Sequence, residues 1–75
     1  MPDIADLRLT NLLCDIDTDG IATVALNRPA KRNALNAETV EELLALFSAL
    51  PRSDARAVVL RAEGPHFCAG LDLVE

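Results

Sequence analysis

The sequence predicts an α/β fold in which two strands, a helix and a third strand follow one another. Three features support this order: alternating apolar residues on both sides of an Asp-Gly turn, an apolar stripe at helical spacing, and a short apolar run at residues 57–60. A helix between two strands of one sheet implies that those strands are parallel and joined by a right-handed crossover. We therefore expect a small sheet with one parallel pair.

The first two strands are predicted from alternation and turn chemistry. Apolar and polar residues roughly alternate from residue 7 to 17, which places Leu12, Cys14 and Ile16 on one face. Residues 17–20, Asp-Thr-Asp-Gly, are typical of a hairpin turn because Asp-Gly tolerates positive φ. The return strand, residues 21–27, carries few charges on either face, which indicates an interior strand.

The helix is predicted from about residue 37 to residue 50. Asn36 is a suitable N-cap, Glu38 places a negative charge in the first turn, and Pro51 ends the helix. The helix carries one apolar stripe, which consists of Val40, Leu43, Leu44, Phe47 and Leu50. Glu41 and Glu42 lie mostly outside this stripe. The run at residues 57–60 that follows is predicted to be a buried strand.

Two segments follow strands of the predicted parallel pair. Residues 28–34 come after the second strand and residues 64–73 after the third. Since ligands bind outside the carboxyl ends of parallel strands, both segments are expected at one ligand-binding edge. Arg28, Lys31 and Arg32 lie within five positions there, and such a local basic patch can meet a phosphate.

The segment after the third strand has the features of an oxyanion site. The small residues Ala69 and Gly70 allow a ligand to approach the main chain. We expect the residues after Gly70 to open a helix, which would leave the Leu71 N–H unpaired at its positive end. A fixed, unpaired N–H is what a developing oxyanion requires.

Composition excludes several classes of protein. The chain has 75 residues, 51% of them hydrophobic, and a net charge of −5, which argues against a nucleic-acid partner. No stretch approaches the roughly 20 apolar residues of a membrane span, and the acidic first residues do not form a signal peptide. Cys14 and Cys68 have no metal-ligand spacing and are expected to be free thiols in a reducing, cytoplasmic compartment.

Two segments resemble the signatures of one enzyme superfamily. Residues 27–36, Asn-Arg-Pro-Ala-Lys-Arg-Asn-Ala-Leu-Asn, resemble the first signature of the crotonase (enoyl-CoA hydratase/isomerase) superfamily. Residues 67–73, Phe-Cys-Ala-Gly-Leu-Asp-Leu, resemble its second signature, F-x-A-G-x-D-L. The order of the two segments and the strand between them also match, and the resemblance extends from about residue 16 to the end of the chain.

The resemblance implies a fold, a ligand and a set of contacts. The fold would be part of a crotonase-like (ClpP/crotonase) spiral, and the partner would be an acyl-CoA thioester, with coenzyme A as part of the substrate and no separate cofactor. The N–H of Leu71 would be one of two oxyanion-hole donors to the thioester carbonyl. The substrate and coenzyme A contacts implied by the resemblance are Lys31, Arg32, Ala34, Ala69, Gly70, Leu71, Asp72 and Leu73.

The sequence departs from its relatives in stopping directly after the second signature. The chain has no counterpart of the second donor, of the glutamates of the hydratases, or of the C-terminal helices through which relatives form trimers or hexamers. Glu63, Asp72 and Glu75 are not at the glutamate positions. Asp72 is instead expected to cap or orient the following helix. We expect residues 1–75 to be the N-terminal fragment of a crotonase-like domain, with residues 1–6 a loose leader and no hydratase activity of its own.

Alternative functions remain open at this stage. Within the superfamily, hydration is the default, and isomerisation, thioester hydrolysis, decarboxylation and dehalogenation are not distinguished. A second hypothesis is a non-catalytic coenzyme A-binding or assembly fragment that keeps Arg32, Ala34 and Leu71 as contacts. A third uses His66 and Cys68, which share a face if the segment is a strand, as a thiol catalyst.

Overall fold

The described residues, 4–72, form one mixed three-stranded sheet with a single long helix. The structure is a computed structural model that describes residues 4–72. Its strands are β1 (Leu12–Ile16), β2 (Ile21–Leu26) and β3 (Ala57–Ala62), and its helix is α1 (Ala37–Ala49). The strand order is β1-β2-β3, with β1 antiparallel to β2 and β2 parallel to β3. The predicted α/β order with one parallel pair is confirmed.

The turn between β1 and β2 is held by its first aspartate. The Asp17 carboxylate accepts hydrogen bonds from the backbone N–H groups of Asp19 and Ile21, at 2.9 and 3.0 Å. Gly20 has a φ of +82°, and a Cβ atom there would lie 2.9 Å from Cγ of Arg56. The predicted turn is confirmed, and Gly20 is needed both for its backbone conformation and for the close approach of Arg56.

The core lies between α1 and the β1–β2 half of the sheet. Ala22 and Val24 of β2 are completely buried, as expected for a central strand. The buried apolar cluster consists of Leu12, Ala22, Val24, Leu26, Leu46 and Leu50. This arrangement presents the carboxyl ends of β2 and β3 at one edge, where both signature segments begin.

The helix α1 begins where the sequence predicts and buries a different face. Asn36 caps it, because its Oδ1 accepts the Thr39 N–H at 2.9 Å. Three residues of the predicted apolar stripe, Val40, Leu44 and Phe47, are 36%, 65% and 44% exposed. The buried residues of α1 are instead Thr39, Glu42, Leu46 and Ala49.

A buried carboxylate explains this orientation of α1. Glu42 is 8% exposed, and its Oε1 accepts the backbone N–H groups of Thr10 and Asn11, both at 2.9 Å. The side-chain amide of Asn11 also donates to Oε2 of Glu42 at 3.2 Å and to Oε1 of Glu38 at 2.8 Å. Because buried N–H groups must find acceptors, these bonds favour turning the Glu42 side of α1 inward.

The prediction of a buried third strand is wrong for this chain. Val58, Val59 and Leu60 are 42%, 48% and 46% exposed. The reason is that β3 is the last strand of the sheet and the buried apolar cluster lies over β1 and β2, so that Val58, Val59 and Leu60 lie outside this cluster. Its apolar residues therefore face solvent on both sides of the sheet.

The start of the chain carries a short structured segment. Within the predicted loose leader, residues 1–6, the described part Ile4–Asp6 forms a 3-10 helix and Ile4 packs against the core, while residues 1–3 lie outside the described residues. Within the described residues, 4–72, no helix has the length and apolar character needed to cross a membrane.

Candidate functional site

Two loops meet at the carboxyl ends of β2 and β3. The first loop (residues 27–36) follows β2 and the second loop (residues 63–72) follows β3. The Leu35 N–H donates to the Gly70 carbonyl and the Asp72 N–H donates to the Leu35 carbonyl, each at 2.8 Å. Leu35 and Leu71 thus form a parallel β-bridge, and the expectation that both signature segments share one edge is confirmed.

Asn33 of the first loop binds the start of the second loop. Its side chain is buried, and Nδ2 donates to the carbonyl oxygens of Glu63 and His66 at 2.8 and 2.7 Å. Its Oδ1 accepts the backbone N–H of Arg28 at 2.7 Å. Asn33 has a φ of +57°, a left-handed conformation that asparagine tolerates better than most residues.

Arg28 links the first loop to the end of the second. Its Nη1 donates to the Ala34 carbonyl at 2.5 Å, and its Nη2 lies 3.4 Å from Oδ2 of Asp72. The two side chains of this ion pair are only 12% and 13% exposed. Asp72 therefore pairs with a cation of the first loop, and the helix that it was expected to cap falls outside the described residues.

The Leu71 N–H points away from the first loop. In an extended segment successive N–H groups alternate in direction, and the neighbours of Leu71 are the ones bonded to Leu35. Among residues 4–72 no acceptor binds the Leu71 N–H. The expected unpaired donor is present, and the β-bridge to Leu35 sets its direction; Leu71 and Asp72 are not helical, and the helix expected after them lies outside the described residues.

The small residues beside Leu71 leave room next to the main chain. Ala69 is exposed, and a Cβ atom built on Gly70 would meet no atom within 4 Å. Gly70 also has a φ of +95°, which favours glycine. The surface beside the Leu71 N–H is thus open, as the sequence predicted for a close ligand approach.

The basic residues of the first loop divide into two roles. Arg28 is directed inward to Ala34 and Asp72, whereas Lys31 and Arg32 are exposed. Lys31 ends the 3-10 helix Pro29–Lys31, and Arg32 follows it with a φ of +53°. Two of the three predicted phosphate-facing cations are therefore accessible.

The remaining predicted contacts are differently placed. Ala34 is half-buried and offers its carbonyl to Arg28, while Leu73 lies outside the described residues. Sequence reasoning missed Asn33, although an asparagine among loop residues that need positive φ is a recognisable signal.

The structure does not support a His66–Cys68 thiol catalyst. Residues 63–70 are not a strand, so the spacing does not place these two side chains on one face. The Cys68 Sγ accepts the Gly70 N–H at 3.4 Å. No group of three or more His, Cys, Asp or Glu side chains within the described residues could hold a metal ion.

The other cysteine lies in β1, away from the two loops. Burial raises the pKa of the Cys14 thiol, and the neighbouring Asp15 carboxylate raises it further. A thiol with a raised pKa holds its proton and is a poor nucleophile at neutral pH. Cys14 therefore has the character of a structural residue.

Comparison with known proteins places the chain in a family. The family model described as Enoyl-CoA hydratase/isomerase matches residues 17–75, which include both loops. The chain belongs to the enoyl-CoA hydratase/isomerase family.

Individual relatives agree with this assignment. The Mycobacterium bovis protein named "Probable enoyl-CoA hydratase echA6" is 46% identical over 55 residues, covering 73% of this chain and 23% of that protein. A 4-chlorobenzoyl coenzyme A dehalogenase-2 from an Arthrobacter species is 44% identical over 59 residues, covering 77% of this chain and 21% of that protein.

A solved enoyl-CoA hydratase from Mycobacterium smegmatis superposes with a TM-score of 0.82 at 44% identity, covering 87% of this chain and 26% of that one. The α/β unit described above is therefore shared with crotonase-fold enzymes. The chain spans about a quarter of the length of these family members.

Proposed function

We propose that this chain supplies the acyl-CoA-binding part of an enoyl-CoA hydratase/isomerase-type site. In this site the Leu71 N–H donates to the thioester carbonyl of the substrate, and coenzyme A enters as part of the substrate. A carbonyl that accepts such a bond is polarised, and the negative charge of the enolate formed at its α-carbon is stabilised. A donor of this kind contributes about 3–4 kcal/mol at the transition state.

The observation that carries the proposal is the direction of the Leu71 N–H. The bonds from Leu35 to Gly70 and from Asp72 to Leu35 fix the main chain on both sides of this group, so the donor is preorganised. A preorganised donor requires no rearrangement when charge develops on the oxyanion, which is the condition under which such groups accelerate reactions. The open space at Gly70 supports access of a carbonyl to it.

The exposed cations give the proposed site its second contact. Lys31 and Arg32 lie on the first loop, which the Leu35–Leu71 bridge joins to the second loop. In an acidic chain of net charge −5 they offer a local positive surface for the phosphates of coenzyme A. An acyl-CoA would then bind with its phosphates beside the first loop and its thioester at Leu71.

The proposal covers the binding of a coenzyme A thioester, which hydration and dehalogenation have in common. The relatives include a hydratase and a dehalogenase, both named for coenzyme A thioesters. On the second loop, Glu63 pairs with Arg61 at 3.0 Å and Asp72 pairs with Arg28 at 3.4 Å. These carboxylates are engaged by cations, and we assign neither of them the role of a general acid or base.

Calorimetric titration tests the binding proposal. We expect saturable heat when butyryl-CoA is added to the 75-residue chain, and weaker binding to the Arg32→Glu variant, which reverses one exposed charge. The matched control Arg8→Glu reverses an exposed charge near the N-terminus and leaves the affinity unchanged. No heat with the unaltered chain, or equal losses in both variants, would refute the binding proposal.

A turnover assay tests whether the chain also completes a reaction. We expect no hydration of crotonyl-CoA by the pure chain, because among residues 4–72 we assign no group to the proton transfer that general acid–base catalysis requires. Saturable hydration that scales with protein concentration would contradict this expectation. Butyryl-CoA binding without turnover separates an acyl-CoA-binding unit from an inert one.

A further inference from the structure

We infer that Asn33 and Arg28 act as positioning residues that hold the Leu71 N–H in its direction, an inference that rests on the proposed function. Neither residue needs to touch the substrate. Together their hydrogen bonds across the two loops form what we call the Arg28–Asn33 bracket. The bracket acts on Leu71 through the main chain on both sides of it.

The first half of the bracket fixes where the second loop begins. The buried Asn33 amide donates to the carbonyls of Glu63 and His66, at 2.8 and 2.7 Å. Both carbonyls lie within four residues of the end of β3. The second loop therefore leaves the sheet along a path set by one side chain of the first loop.

The second half fixes where the second loop ends. Arg28 donates to the Ala34 carbonyl and pairs with Asp72, one residue after Leu71. Ala34 precedes Leu35, whose backbone bonds to both neighbours of Leu71. Arg28 thus supports both partners of the Leu35–Leu71 bridge.

The two halves are joined to each other. The Asn33 Oδ1 accepts the Arg28 N–H at 2.7 Å, and the Asn33 N–H donates to the Arg28 carbonyl at 2.8 Å. Between the fixed ends, Phe67 and Ala69 are exposed. A loop fixed at both ends, with an unpaired donor near one of them, is suited to hold that donor ready for a ligand.

Hydrogen exchange tests the bracket without any ligand. Asn33→Gly removes the side-chain amide and still accommodates the positive φ. We expect the Leu35 and Asp72 amides to exchange about tenfold faster than in the unaltered chain, relative to the β1–β2 ladder. The control Ile16→Val lies at the end of β1 next to the turn, and we expect it to change the exchange rates of both sets of amides alike. If exchange of the Leu35 and Asp72 amides does not change selectively in the Asn33→Gly variant, the bracket is overturned.

A ligand titration tests the positioning role. With butyryl-CoA we expect the Leu71 amide resonance of the unaltered chain to shift and that of Asn33→Gly to lose most of this shift, while the β1–β2 ladder stays native. A full shift in a variant whose loop amides exchange rapidly overturns the positioning role. No shift in the unaltered chain refutes the proposed function instead, and the bracket is then decided by exchange alone.

A second variant covers the case in which Asn33→Gly does not fold. Arg28→Lys keeps the charge but lacks the planar fork that reaches both Ala34 and Asp72. We expect it to speed exchange at Asp72 more than at the β1–β2 ladder and to reduce the Leu71 shift. Unchanged exchange and an unchanged shift in this variant overturn the inference.

Discussion

At the scale of single residues, two positions of the second loop require glycine for different physical reasons. Gly64 and Gly70 both have positive φ, at +82° and +95°. A Cβ atom on Gly64 would lie 2.9 Å from Cβ of Pro29 in the first loop, whereas one on Gly70 would meet nothing within 4 Å. Gly64 thus permits contact between the two loops, and Gly70 leaves space open.

We expect Gly64→Ala to destabilise the chain more than Gly70→Ala. Both substitutions carry the backbone cost of an alanine at positive φ, about 1–2 kcal/mol, and only Gly64→Ala adds the clash with Pro29. Urea unfolding of the two variants measures the difference directly. Equal losses of unfolding free energy would show that the loops do not approach as closely as described.

Cys14 is expected to react slowly with thiol reagents. In a Cys68→Ser chain, all labelling reports Cys14, whose raised pKa keeps the thiolate scarce. The folded thiol holds its proton to higher pH than the unfolded one, so its contribution to stability is constant below the ordinary thiol pKa and falls as the pH rises above it. Labelling at neutral pH as fast as that of an unhindered cysteine peptide would contradict this account.

At the scale of elements, the orientation of α1 depends on a polar residue. Periodicity of apolar residues indicated the helix correctly, and Asn36 and Glu38 indicated its start. The apolar periodicity did not identify the buried face of α1, because that face includes Glu42. The partners of Glu42, Thr10 and Asn11, are about thirty residues away in the sequence. Such long-range bonds leave no local signal.

We expect Glu42→Ala to destabilise the chain by about 1–3 kcal/mol, because it leaves the N–H groups of Thr10 and Asn11 buried or partly buried without their acceptor. The control Glu41→Ala alters an exposed neighbour and changes stability by less than about 0.5 kcal/mol. Denaturant unfolding of both variants measures the effect. Similar small losses in both variants would mean that Glu42 does not anchor α1.

At the scale of the whole molecule, much apolar surface is exposed. The outer edge strand β3 exposes Val58, Val59 and Leu60, and α1 exposes Leu44 and Phe47. Apolar edge strands favour pairing between chains, since their outer N–H and C=O groups are unpaired. The sequence predicted β3 to be buried, because a short apolar run indicates burial without showing what covers it.

We therefore expect the chain to self-associate as its concentration rises. Val59→Lys places a charge on the edge strand and should weaken association, whereas Ser48→Lys adds the same charge on an exposed position of α1 and should weaken it less. Sedimentation velocity over a range of concentrations measures the self-association of each variant. A strictly monomeric chain, or equal behaviour of the variants, would contradict this expectation.

The candidate site combines what the sequence could and could not predict. The position of both loops at one edge followed from strand order and the crossover. The direction of the Leu71 N–H was predicted through a helix that is not observed at Leu71 and Asp72, and a β-bridge provides it instead. The contacts of Asn33 were not predicted, because its partners, the Glu63 and His66 carbonyls, are backbone groups far away in sequence.

The most direct test of the central claim is the amide spectrum of the labelled chain titrated with butyryl-CoA and, separately, with coenzyme A alone. Both ligands are expected to shift the Lys31 and Arg32 amides, and only the thioester is expected to shift Leu71, because coenzyme A has no acyl carbonyl. A Leu71 amide that stays unmoved by saturating butyryl-CoA, or that moves equally with both ligands, would contradict the account.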